Sequence, residues 1–74
     1  MTTTTIGIDG MMCCMCEAHV NDVIRRNFDV RRVKSNRRRK NCVIVSAEPL
    51  DEVRLRAVIA ETGYTPLSVE VTTS

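Results

Sequence analysis

The alternation of apolar and polar positions divides the chain into short pieces. In residues 3–8, TTTIGI, Ile6 and Ile8 share one face of a period-2 segment, which predicts a strand ended by Gly10. From Cys16 the period changes. Apolar residues recur at Val20, Val23, Ile24 and Phe28, which lie on one face of a helix. In VRRVKSN (30–36) the two valines stand three apart, so period 2 fails and the segment reads as an edge strand blunted by charge. CVIVS (42–46) has three β-branched residues in a row and reads as a strong strand, with NRRRKN before it as an exposed turn. Pro49 precedes a second helix whose buried face is marked by Leu55, Val58, Ile59 and Thr62. Asp51 and Glu52 suit its N-terminal dipole, and Gly63 its left-handed cap. In PLSVEVT (66–72), Leu67, Val69 and Val71 are expected inward against Ser68, Glu70 and Thr72.

The order is β-α-β-β-α-β. Right-handed crossovers make the first two strands parallel, with the third between them. The expected fold is therefore an α+β, ferredoxin-like sandwich: a four-stranded antiparallel sheet with two helices on one face, one domain over residues 1–74. In this topology GMMCCMC (10–16), the NRRRKN turn and GYTP (63–66) converge at one end.

Composition narrows the function. With one Phe, one Tyr and no Trp, the core must be aliphatic, and a base-stacking platform for single-stranded nucleic acid is excluded. The net charge of +2 is weak, but residues 31–40, RRVKSNRRRK, concentrate the basic groups. The start, MTTTTIGIDG, lacks the basic n-region and long apolar stretch of a secretory signal, and no segment approaches spanning length. The expected setting is cytoplasmic and reducing, without membrane insertion. There, clustered cysteines read as metal-binding or catalytic.

Cys13 and Cys16 form a C-x-x-C, with Cys16 in the first turn of the first helix and Cys13 in the loop before it. A helix N-terminus stabilises a thiolate. A loop-borne thiolate can swing while a helix-borne one stays fixed, which suits a soft ion in low coordination such as Cu(I). A redox pair of the thioredoxin type needs a longer chain and another strand order. A structural zinc site needs four closed ligands, whereas Cys13, Cys16 and His19 are three, and Cys42 reads as a small half-buried hydrophobe on the sheet. Met11 reads as packing beneath the loop. Met12 and Met15 read as exposed and weak ligands at best, and His19, one turn past Cys16, as an exposed helix residue or a third ligand.

With these residues in place, the chain resembles the heavy-metal-associated (HMA) domains: copper chaperones, N-terminal modules of metal-transporting P-type ATPases, and mercury-resistance carriers. GMMCCMC resembles their G-M-x-C-x-x-C loop, VRRVKS and VIV stand where they have strands two and three, and IAETGY resembles their closing GY element. The resemblance implies a reversible carrier of Cu(I) or a related soft ion rather than an enzyme. Cys13 and Cys16 would be the ligands, and transfer would proceed by ligand exchange with a partner's C-x-x-C pair, on a P-type ATPase or another carrier domain. Tyr64 falls where bacterial members keep a Tyr beside the metal loop. Asp29 in place of a Gly and Ser35 in place of an apolar strand residue depart from the pattern. So does Cys14, which creates Cys13-Cys14-x-x-Glu17, similar to the C-C-x-x-E loop of some plant zinc-transporting ATPase modules. Two thiolates and a carboxylate suit Zn(II) or Cd(II), so this second code stands beside the first, with Hg(II) a further cargo.

The basic turn, Arg37, Arg38, Arg39 and Lys40, would sit at the metal end. It can steer docking onto an acidic partner and offset the charge of a bis-thiolate complex. A single turn is too small for a convincing nucleic-acid face, so no nucleic-acid partner is expected, and a small basic nucleic-acid or protein interaction module with incidental cysteines stands as the alternative. The expected apo state is a monomer, and the extra thiols allow a metal-bridged dimer.

Overall fold

Two periodicities dictate the elements. A computed structural model describes residues 1–73. It contains β1 (Thr2–Asp9), α1 (Cys14–Asn27), β2 (Arg32–Asn36), β3 (Asn41–Ser46), α2 (Glu52–Glu61) and β4 (Thr65–Thr73). The strands form one antiparallel sheet in the order β2-β3-β1-β4. Ile6 and Ile8 of β1, Val33 of β2, and Cys42 and Ile44 of β3 pack with Val20 and Ile24 of α1 and Leu55 and Ile59 of α2 in one core. Both helices therefore cover the same face of the sheet, and the ferredoxin-like sandwich read from the sequence is the observed architecture.

Each helix is started by a different device. At α2, the Asp51 carboxylate accepts from the backbone N–H groups of Val53 (3.0 Å) and Arg54 (3.2 Å), an ordinary N-cap. At α1 the N-cap is Cys13, whose side chain makes no capping bond. The α1 N-terminus thus keeps its unsatisfied N–H groups beside the thiols. The helices are also joined across their exposed rims, where the Arg54 guanidinium lies 5.5 Å from the centre of the Phe28 ring.

The sheet departs from the expected pattern in four places. β1 begins at Thr2, and Thr2 and Thr4 are buried on the helix-facing side together with Ser46 of β3, so hydroxyls line the end of the core away from the cysteines. β2 recovers period 2 once Val30 is left outside it: Val33 and Ser35 both face inward. The buried Ser35 hydroxyl donates to Asn21 Oδ1 of α1 at 2.7 Å, which satisfies the polar group that replaces an apolar one. Cys42 is fully buried rather than half-buried, and burial pushes its thiol pKa up.

The fourth departure is a correction to β4. Leu67 and Val71 are 42% and 50% exposed. Pairing of β1 with β4 runs Ile6 to Val69 and then Ile8 to Pro66, so β4 carries an extra residue there and the alternation is broken. Leu67 passes over Gly7 on the open face: a Cβ at Gly7 would lie 2.9 Å from the Leu67 Cβ. Val71 stands beyond the bulge on an edge strand, with only Val69 packed against the core.

Burial therefore separates residues that the sequence pattern treats alike. Leu55→Ala should lower unfolding free energy by about 3 kcal/mol, as a cavity in the core does. Val71→Ala should stay within about 0.5 kcal/mol. Urea unfolding followed by circular dichroism measures both, and a Val71→Ala cost comparable to that of Leu55→Ala would refute the placement of β4.

Candidate metal centre

The thiol end is assembled by three loops. β1 stops at Asp9, and Gly10 turns the chain with a φ of 108°. A Cβ there would also approach Tyr64 Cδ1 to 3.2 Å, so both the turn and the neighbouring ring call for glycine. Met11 then buries its side chain in the core, which pins the loop from below. The next residues are thereby held at the surface: Met12 and Met15 are 83% and 77% exposed, Cys13 and Cys14 are exposed, and Cys16 is half-buried.

Within this loop Cys13 and Cys16 face each other, with their Sγ atoms 3.7 Å apart. The arrangement follows from the helix start. The Cys13 carbonyl accepts from the N–H groups of Cys16 (3.1 Å) and Glu17 (3.3 Å), which folds the first turn and brings residue 16 back over residue 13. Two sulfurs at this separation can bracket one ion with metal–sulfur bonds of about 2.3 Å. The Cys16 thiol pKa is lowered from the ordinary 9.0 to about 7. The first cause is a hydrogen bond from the Tyr64 side chain; the backbone N–H groups of Met12 and Cys13 and the Cys13 thiol add to it. The same contact raises the pKa of Tyr64, which keeps its hydroxyl protonated as the donor. The Tyr64 ring meets His19 edge-on at 6.4 Å between ring centres.

Other candidates are distributed differently. Glu17 is turned to the basic turn: its Oε2 accepts from the Arg37 backbone N–H at 2.7 Å, and its Oε1 from the Arg37 guanidinium at 3.2 Å. Among the described residues no three Cys, His, Asp or Glu side chains gather as a metal site. The Cys13-Cys14-Glu17 set is therefore not assembled, whereas Cys13 and Cys16 are together. The NRRRKN turn does reach this end. The Asn36 side chain folds it by accepting from the N–H groups of Arg38 (2.9 Å) and Arg39 (3.0 Å). The Lys40 carbonyl accepts from the Ile8 N–H at 2.8 Å, and the Lys40 ammonium stands 3.9 Å from Asp9. Of the four basic residues, Arg38 and Arg39 are exposed and make no ion pair among the described residues.

Sequence reasoning placed Glu17 and Arg37 at the same end but did not pair them. The usable signal was their opposite charge on two loops that the topology brings together. The role of Tyr64 as hydrogen-bond donor to Cys16 was legible only as proximity.

No protein-family model and no curated relative matches the chain. Solved structures do match it in fold. The N-terminal domain of ZntA in its Zn(II) form is 18% identical, with 89% of each chain covered and a TM-score of 0.78. The yeast copper transporter domain Ccc2a, solved in apo and Cu(I)-loaded states, is 15% identical, with 99% of this chain and 97% of that one covered and a TM-score of 0.78. Oxidised MerP from Ralstonia metallidurans CH34 is 25% identical, with 95% and 99% covered and a TM-score of 0.76. The fold is thus the one adopted by these metal-binding domains, in agreement with the sequence resemblance.

A lowered Cys16 pKa predicts alkylation that reaches half its maximal rate near pH 7, read residue by residue with mass spectrometry. Tyr64→Phe should move that midpoint upward, because the largest stabiliser of the thiolate is gone. The sign extends to stability. The stabilisation tied to this thiolate is complete above pH 9.0 and is lost as pH falls through about 7. An unchanged midpoint in Tyr64→Phe refutes the assignment.

Proposed function

We propose that the chain is a carrier of soft metal ions that binds Cu(I) through Cys13 and Cys16 and passes it on by ligand exchange. The observation that carries this reading is the pair of sulfurs 3.7 Å apart at a helix N-terminus, without a third ligand gathered beside them. Thiolates alone, in low number, select Cu(I) over ions that want oxygen or nitrogen donors. Binding replaces the two thiol protons with the ion. A Cys16 pKa near 7 makes the first of these losses inexpensive at neutral pH.

Unequal exposure suits transfer. A straighter S–Cu–S arrangement needs the sulfurs about 4.6 Å apart, twice a metal–sulfur bond of about 2.3 Å. Cys13, exposed and free of any capping bond, can swing outward to allow it. Cys16, half-buried under Tyr64, holds position. An incoming thiolate meets the Cys13 side first, forms a bond to the ion, and displaces Cys13 before Cys16. The acceptor is a P-type ATPase or another carrier domain with its own cysteine pair, reached in the cytoplasm. Arg38 and Arg39 are the two arginines of the basic turn left to meet its acidic surface. The ion is cargo, and no bond of a substrate is made or broken, so the chain is not an enzyme.

Competition titrations with a Cu(I) chelator under reducing conditions test the reading. The wild type should bind one ion per chain, Cys16→Ala should abolish tight binding, and Cys14→Ala should retain it. If Cys14→Ala is the more damaging, the ligand assignment is wrong. For docking, Arg38→Glu with Arg39→Glu should slow transfer to an acidic acceptor and flatten its dependence on salt, with Cu(I) affinity unchanged. Stopped-flow transfer rates at two ionic strengths measure this.

A further inference from the structure

The feature that the carrier reading does not use is the contact between Glu17 and Arg37. Cys14 and Glu17 lie three apart on α1, the spacing that makes helix neighbours, and Cys13 directly precedes them. Two thiolates and a carboxylate in that arrangement form a donor set for a divalent ion such as Zn(II). The carboxylate is engaged elsewhere. It is only 20% exposed, and both oxygens accept hydrogen bonds from one residue, Oε2 from the Arg37 backbone N–H and Oε1 from its guanidinium. The turn that presents Arg37 is itself fixed. Asn36 folds it from inside, and the Lys40 carbonyl ties its far end to β1.

We propose that Arg37 is a specificity-determining residue: by holding Glu17 away from the thiols, it withholds the third donor from divalent ions and leaves the site to Cu(I). The amide of residue 37 orients the carboxylate, and the guanidinium supplies the charge that a divalent cation would otherwise supply. A carboxylate already paired with a cation in a half-buried place has little to gain by moving to a metal. Cu(I) is indifferent to this competition, because a hard oxygen donor adds little to two thiolates. The inference rests on the carrier reading for its biological sense, but the discrimination it describes is a property of Glu17 and Arg37 alone.

Zn(II) and Cu(I) affinities are measured separately by chelator competition, under reducing conditions, on the full chain. The variants are Arg37→Ala and Arg37→Ala with Glu17→Gln. Arg37→Ala should tighten Zn(II) binding about tenfold, the scale on which groups around a metal ligand act. Cu(I) affinity should not change. The double variant should return Zn(II) affinity to the wild-type value, because the gain belongs to the released carboxylate. X-ray absorption of the Zn(II) complex should show an added oxygen ligand in Arg37→Ala alone. Circular dichroism checks each fold, and Arg37→Gln takes the place of the alanine variant if that one unfolds. Two results overturn the proposal: no gain in a folded Arg37 variant, or a gain that survives Glu17→Gln, which marks mere removal of a positive charge. Failure of the wild type to bind Cu(I) would instead sink the carrier reading, and the Zn(II) comparison would still be decided.

Discussion

Two helices must share one face of a sheet whose core is almost wholly aliphatic, and the rest of the molecule is arranged around that constraint. With no Trp and a single Phe, burial has to come from many small contacts among Ile, Val and Leu on both helices and three strands. Such a core closes only if α1 and α2 both return across the same side, which fixes the order β2-β3-β1-β4. The order in turn gathers the start of α1, the β2–β3 turn and the loop after α2 at one end. The thiols owe their setting to this packing. Met11 joins the core, and Cys13 to Cys16 are lifted to the surface immediately after it.

Electrostatics at that end is balanced locally rather than by bulk charge. The net charge of +2 says little about it. What matters is that the α1 N-terminus keeps uncapped N–H groups, that Tyr64 offers a hydroxyl to Cys16, and that Arg37 is neutralised by Glu17 and Lys40 faces Asp9. The Cys16 thiolate is therefore stabilised by neutral donors, not by an ion pair at the site. On the carrier reading, a cargo ion would meet little opposing positive charge there, and the exposed Arg38 and Arg39 would supply the longer-range attraction.

The parts of the fold legible in the sequence were those governed by local period. Ile6 with Ile8, Val20 with Ile24, and Leu55 with Val58 and Ile59 announce their faces, and each is buried as expected. The misreadings arose where a partner strand or helix decides. Leu67 and Val71 alternate correctly by themselves, but a register shift opposite Ile6 and Ile8 and an edge position leave them exposed. Thr2 and Thr4 look polar and are buried, because β1 is central and both neighbours pair with it as far as its first residue. Ser35 looks like a flaw until Asn21, on another element, supplies its acceptor. At the site, the C-x-x-C and the buried Met11 were readable from spacing. The engagement of Glu17 was not, because its partner lies 20 residues away and only the tertiary fold brings it in.

Cys14 is the residue whose meaning changes most once the side chains are placed. In sequence it is ambiguous, a neighbour to both nested codes. In structure Cys13 faces Cys16 and Glu17 is hydrogen-bonded by Arg37, so Cys14 is left exposed at the first position of α1, outside both contacts. Its side chain is exposed, as are those of Met12 and Met15. The sulfurs thus grade from Met11, which is core, through Cys16, which is half-buried and hydrogen-bonded, to Cys13 and Cys14, which meet solvent. A carrier needs such a gradient, because an ion held equally by buried ligands is stable but slow to leave. On the carrier reading, the contact that holds Glu17 on Arg37 would also leave an ion on Cys13 and Cys16 two-coordinate and open to an incoming thiolate.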